Sequence, residues 1–221
     1  FHFVMPQPQD DVFLLGGKLV RYQQIQDDIE LVIYLLEADA RLAENYLQAA
    51  AHYITFYSDL IGPYPYAKFA IIENRWQTGY GMPSFTLLGS RVIRLPFILH
   101  TSLPHEIVHN WWGNGVYVDY DRGNWCEALT SFGANLHGYV LDGDEAGARK
   151  SRRDVCNIMT RITSKHDKPL ATYGVKDGAG RAVGYQKGSL LFHMLAQKIG
   201  VDTFWSAMRT LTDEYTGRHA G

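Results

Sequence analysis

The chain has 221 residues, 46% of them hydrophobic, and a formal net charge of -2, enough to bury a substantial core as one large domain or one domain with an appendage. There is no cationic surplus to neutralise phosphates, which argues against nucleic acid as a partner and against attachment to an anionic membrane through basic residues. Cys126 and Cys156 are the only cysteines, too few for a disulfide framework or a thiolate zinc site. The longest purely apolar stretches, such as residues 31 to 36, fall far short of the roughly 20 residues a membrane-spanning helix needs. Phe1 opens the sequence, and Thr216 to Gly221 carries no apolar residues of the kind that pack a chain end. The chain therefore reads as a piece of a longer polypeptide, and localisation stays open.

The first 37 residues read as strands: Val12 to Leu15, a turn at Gly16-Gly17, Lys18 to Gln26, then Ile29 to Glu37, rich in β-branched and aromatic residues. From Asp39, an N-cap type, apolar residues recur at Leu42, Tyr46, Ala50, Tyr53, Tyr57 and Leu60, the four-and-three spacing of one helical stripe. Gly62-Pro63 ends that helix. Lys68 to Glu73 predicts a strand, and Gly79 to Arg94 predicts glycine-punctuated extended chain. Helices dominate afterwards: Ser102 to Trp112, with Pro104 in the first turn and Gly113 at the stop, then Asn124 to Leu141, Glu145 to Lys165, Tyr185 to Ile199, and a last one capped by Asp202. The order gives an α+β class, mainly helical with a small sheet.

Residues 105 to 109 read His-Glu-Ile-Val-His. On a helix, positions i and i+4 lie about 40° apart in rotation and about 6 Å along the axis, so both imidazoles face one point. That arrangement supplies two nitrogen donors to a metal, and Glu106 beside them can take a proton from a water without itself bonding the ion. A catalytic zinc site needs a third protein ligand and an open position. Glu127, near the start of the next helix, is the candidate, although a glutamate in a first turn is by itself more often a favourable partner of the helix dipole. His105 and His109 taken singly would also read as ordinary helix residues.

The run His105 to Asn114, HEIVHNWWGN, followed by NWCEALTSF at Asn124 to Phe132, resembles the signature of the alanyl aminopeptidase family in the gluzincin clan. The resemblance spans about residues 1 to 215. It implies a thermolysin-like zinc peptidase catalytic domain over residues 38–221, preceded by the end of an N-terminal β domain over residues 1–37. It further implies one catalytic zinc held by His105, His109 and Glu127, Glu106 as general base, and a peptide substrate. Tyr185-Gln186-Lys187-Gly188 is similar to the family's Tyr-x-Lys-Gly, which implies that Tyr185 donates a hydrogen bond to the oxyanion of the tetrahedral intermediate. Gly79 to Ser84, GYGMPS, matches the strand whose backbone pairs with substrate in the family, which implies substrate contacts at Gly81 and Met82.

Two departures stand out. The 17 residues between His109 and Glu127 are one fewer than usual, with Trp125 one place nearer the glutamate. Pro83 stands where the family carries the glutamate that holds a free amino terminus, so the site lacks one charge-assisted contact to an ammonium. Glu73 is a possible substitute. Peptide-bond hydrolysis of the aminopeptidase type is thus the reading, with an endopeptidase or a non-catalytic zinc-binding scaffold as alternatives. Cys126 reads as a buried thiol, Trp111 and Trp112 as wedges behind the histidine helix, and His52, His100, His137 and His193 as core or rim residues.

Overall fold

In the computed structural model Asp27 and Asp28 take left-handed φ values of 47° and 65° and turn the chain between β1 (Val20–Gln26) and β2 (Ile29–Leu35). Gln26 pairs with Ile29, so the loop has two residues, both at the positive φ that matches strand twist. The structure describes residues 4–9, 11–136, 138–141, 143–170 and 178–221, and they divide into two compact units, residues 1–115 and 116–221. Residues 12 to 15 form no strand, and the first strand begins at Val20 rather than Lys18. No helix of the described residues is long and apolar enough to cross a membrane.

The first unit is built on a five-stranded sheet. Its order is β1, β2, β3 (Lys68–Asn74), β5 (Phe85–Gly89), β4 (Gly79–Met82). β3 runs parallel to both β2 and β5, while β1 and β4 lie antiparallel at the two edges. The strands before residue 37 thus share one sheet with those after it. Between β2 and β3 runs α1 (Ala40–Ile61), started by Asp39, whose Oδ1 accepts from the Leu42 N–H at 3.0 Å, and ended by Gly62 at φ 132°. Its buried residues Ala43, Tyr46, Leu47, Ala50, Ile54, Tyr57 and Ile61 form one stripe, as the spacing requires.

The chain then passes a 3-10 turn (Pro96–His100) into α2 (Ser102–Val108). Leu103, Ile107 and Val108 are fully buried there. The expected helix to Trp112 gives way to turns after His109, and Gly113 at φ 103° sets the stop the sequence indicated. Trp111 is buried against the rings of Tyr57 and Tyr64, and its indole N–H donates to the carbonyls of Gly62 and Pro63. That contact ties the end of the histidine helix to the end of α1.

The second unit is mainly helical. β6 (Tyr117–Val118) pairs in parallel with β7 (His219–Ala220), so the polar chain end is tied down after all. The expected helix over 124–141 is broken into α3 (Cys126–Ser131), a π-helical turn (Phe132–Leu136) and α4 (Gly138–Leu141). α5 (Glu145–Met159) stops short of Lys165. α6 (Gly178–Arg181) and a second π turn (Ala182–Lys187) precede α7 (Gly188–Ile199), so helical backbone begins before Tyr185. α8 (Val201–Tyr215) is entered through Gly200 at φ 94°, and Asp202 sits in its first turn without capping it. Phe132, Phe204 and Trp205 pack ring to ring in this unit's core.

Glu73 of β3 is 2% exposed. One carboxylate oxygen accepts from the Leu36 N–H at 2.9 Å and the other from the Arg94 guanidinium. Breaking a pair so that a buried charge is stranded costs far more than the pair is worth. Arg94→Ala is therefore expected to destabilise the protein by about 3–5 kcal/mol, whereas Glu73→Gln, which keeps an acceptor and sheds the charge, costs roughly 1–2 kcal/mol. Urea denaturation of the two variants checks this; equal losses would show that the buried carboxylate does not depend on Arg94.

Candidate metal centre

His105 and His109 stand one helical turn apart, and the His109 N–H still donates to the His105 carbonyl at 3.2 Å, so the helical register holds across the pair. Their rings meet edge-on with centroids 4.7 Å apart. The two Nε2 atoms lie 3.1 Å from one another, close to the edge of roughly 3.3 Å that two ligands about 2.05 Å from a tetrahedral zinc would span. His109 Nδ1 lies 3.1 Å from the Trp112 carbonyl. A carbonyl only accepts, so the proton sits on Nδ1 and the Nε2 lone pair is left for a metal. This partner was missed by sequence reading, because a backbone carbonyl leaves no mark in the residue pattern.

Glu106 lies on the strand side of the same helix. A Cβ added at Gly81 would come within 2.7 Å of Glu106 Oε2 and 3.2 Å of His109 Cβ, and one at Gly79 within 3.3 Å of Glu106 Oε1. The edge strand β4 thus passes directly beside the carboxylate, and a side chain at Gly81 would displace the Glu106 carboxylate and press on His109 Cβ. Side chains alternate along a strand, so Tyr80 and Met82 face the other way. Tyr80 is half exposed, and Met82 packs on a cluster of Val32, Ala70, Phe85 and Leu87. Of the two residues expected to meet substrate, Gly81 is beside Glu106 and His109, whereas the Met82 side chain is turned into the sheet's opposite face.

Asn110 follows the histidines and is fully buried. Its Nδ2 donates to the carbonyls of Glu106 (3.2 Å) and Ile107 (3.0 Å). Its Oδ1 accepts from the Ser84 N–H (2.9 Å) and lies 3.3 Å from the Tyr64 hydroxyl, whose one proton is shared with the Lys68 carbonyl at 3.2 Å. Burial pushes the Tyr64 hydroxyl well above its ordinary pKa, which keeps it a donor. The sequence marked Asn110 only as a position inside the motif.

In the second unit, Glu127 occupies the first turn of α3, half-buried, next to the buried Cys126. Tyr185 lies half-buried in the π turn that leads into α7. These elements touch: a Cβ at Gly188 would meet Ala128 Cβ at 2.4 Å, so the glycine three places after Tyr185 lets its helix close on the residue that follows Glu127. Lys187 is paired with Asp167. His52 and His100 are exposed, His193 is half-buried, and His137 lies outside the described residues.

His105 and His109 of the first unit each offer an imidazole nitrogen, and Glu127 of the second unit offers a carboxylate oxygen. Two imidazoles and a carboxylate are donors that suit zinc, so the group present fits the metal that the motif implies.

The fold is similar to that of solved M1 zinc metallopeptidases. No family model matches the chain. It is 22% identical to the alanine/arginine aminopeptidase of Saccharomyces cerevisiae, over 80% of this chain and 23% of that protein. It superposes on the M1 zinc metallopeptidase of Deinococcus radiodurans with a TM-score of 0.68 and 20% identity, covering 93% of this chain and 46% of that one. A mutant form from the same organism, bound to Tyr-Ser-Ala substrate, aligns with a TM-score of 0.68 and 17% identity over the same shares. The chain thus spans about half the length of these solved structures and about a quarter of the yeast relative.

Because a methyl at Gly81 would displace the Glu106 carboxylate and also meet His109 Cβ at 3.2 Å, Gly81→Ala is expected to cost about 1–3 kcal/mol through overpacking. Gly79→Ala, facing a side-chain end that can give, should stay within about 0.5 kcal/mol. Equal stability of the two variants in thermal unfolding would show that the strand does not press on the carboxylate.

Proposed function

We propose that this chain is the metal-holding core of a zinc peptidase of the aminopeptidase type, with His105, His109 and Glu127 as ligands, Glu106 as general base and Tyr185 as oxyanion donor. The observation that carries the reading is the pair of Nε2 atoms 3.1 Å apart, with His109 Nδ1 committed to a backbone carbonyl. The glycine strand beside Glu106 and the likeness to M1 peptidases support it. On the same reading, residues 1–37 are the end of a β domain and residues 38–221 the catalytic part.

Zinc bound at such a site supplies Lewis acidity, polarising a peptide carbonyl and making water a usable nucleophile near neutral pH. Glu106, a half-buried carboxylate beside the histidines, accepts the proton of the attacking water and returns it to the leaving amine. The Tyr185 hydroxyl donates to the carbonyl oxygen as negative charge develops on it. β4 is a sheet edge, so its outer backbone groups can pair with an extended peptide. Gly81 keeps that peptide's path to Glu106 clear.

Glu106→Gln is expected to retain about one equivalent of zinc by elemental analysis while peptide hydrolysis falls by roughly 10²–10⁴-fold. Tyr185→Phe should lower kcat by about 10²–10³-fold. Loss of metal from Glu106→Gln would contradict its role as a base. Zinc-loaded protein that turns over no peptide would favour the scaffold reading.

A second reading rests on Pro83 and Glu73. Pro83 brings no carboxylate to the end of β4, and both Glu73 oxygens are engaged by Leu36 and Arg94, so neither offers an anion to a free ammonium. This favours peptides whose amino terminus is blocked, or bonds within a chain. The comparison is hydrolysis of one peptide with a free and with an acetylated amino terminus: similar kcat/KM supports this second reading, and a preference for the free amine of about tenfold or more, near the worth of one charge-assisted hydrogen bond, supports a strict aminopeptidase.

A further inference from the structure

Ser84 carries φ 67°, a backbone region that costs a non-glycine residue about 1–2 kcal/mol. It follows Pro83 in the two-residue turn between β4 and β5, where Met82 pairs with Phe85. Proline first and positive φ second is the pattern of a type II turn, which ordinarily takes glycine at the second place. The N–H of this strained residue is held by Asn110 Oδ1 at 2.9 Å. The other end of the same amide holds the carbonyls of Glu106 and Ile107. Both donors of the Asn110 amide and one acceptor position are therefore used, and its Oδ1 also lies 3.3 Å from the Tyr64 hydroxyl, whose single proton is shared with the Lys68 carbonyl at 3.2 Å. One side chain joins the histidine helix to the turn that ends the edge strand lying on Glu106.

We infer that Asn110 is a positioning residue for substrate: by clamping Ser84 in its left-handed conformation, it fixes the distance of β4 from the Glu106 carboxylate and so sets where a peptide strand is received. The substrate half of this inference rests on the peptidase reading above; the clamp itself does not. Asn110 touches neither the metal donors' ring nitrogens nor the reacting atoms, so its loss should displace the strand while the histidines keep their ion. A displacement of about 1 Å at such a site can cost up to 10²-fold.

The test is a double-mutant cycle between Asn110→Ala and Ser84→Gly, made in the zinc-loaded chain and read by hydrogen exchange of residues 79–86, zinc content and peptide kinetics. Asn110→Ala is expected to speed exchange of 79–86 by about tenfold and to raise KM by about tenfold, with kcat within about threefold and zinc content unchanged. Glycine adopts positive φ without strain, so in the Ser84→Gly background the same Asn110→Ala change should raise exchange and KM by no more than about threefold. Additive effects would overturn the clamp, because a residue that merely fills space under the helix has no reason to couple to φ at residue 84. A fall in kcat or zinc content with KM unchanged would overturn it too. If Asn110→Ala does not accumulate folded, the native protein decides: a Ser84 amide exchanging as fast as the outer amides of β4 overturns the proposal, and one protected like those of β3 supports it. If the protein hydrolyses no peptide, the peptidase reading and the substrate half fall, while the exchange results still settle the clamp.

Discussion

A helix of seven residues does not hold itself in water, yet α2 and its C-cap His109 hold two imidazole nitrogens 3.1 Å apart. What keeps them there is the packing of the chain around that single turn. Leu103, Ile107 and Val108 face inward with essentially no exposure, and Trp111 and Trp112 behind them are equally buried. Each such large side chain contributes on the order of 1.5–3 kcal/mol by leaving water. Trp111 adds a directional tie through its indole N–H to the chain leaving α1. The Trp112 carbonyl then fixes the proton on His109. The His109 ring is thus held in one orientation by the protein's own backbone, as a preorganised donor would be.

The sheet contributes the second half of the constraint. Because β4 lies at an edge and bears glycine at 79 and 81, backbone rather than side chain lies against Glu106. Pro83 and Ser84 close the strand with a tight turn, and Asn110 binds that turn to the helix. Pro83 is the residue whose fixed φ starts the turn. In the second unit the same economy appears at Gly188, whose missing side chain lets the Tyr185 helix close on α3 beside Glu127.

Where the sequence misled, the reason is local geometry decided by packing. Periodicity carried the helix over 124–141 as one piece, but a π turn at Phe132–Leu136 inserts an extra residue per turn there, and the 3.6-residue pattern cannot see it. A second π turn puts Tyr185 inside helical backbone instead of at its start; such turns recur at functional sites. Asp202 had the chemistry of an N-cap, yet Gly200 took the place. Glu73 offered itself in sequence as an anion for substrate, but the sheet buries it and gives it to Leu36 and Arg94.

The amino-acid sequence by itself determined the elements that rest on short-range regularity. These are the α1 stripe from its Asp39 cap to Gly62, the strand at Lys68, the turn of helix that aligns His105 with His109, and the glycines that admit close approach. Helical rotation and rotamer direction dictate those relations whatever the surroundings. Only the tertiary structure decided which backbone carbonyl orients His109, that Gly81 and not Met82 meets Glu106, and that the Asn110 amide joins Ser84 to the helix. Those contacts link residues 3 to 26 positions apart in sequence, and no residue pattern specifies which buried donor meets which acceptor until the core around them has closed.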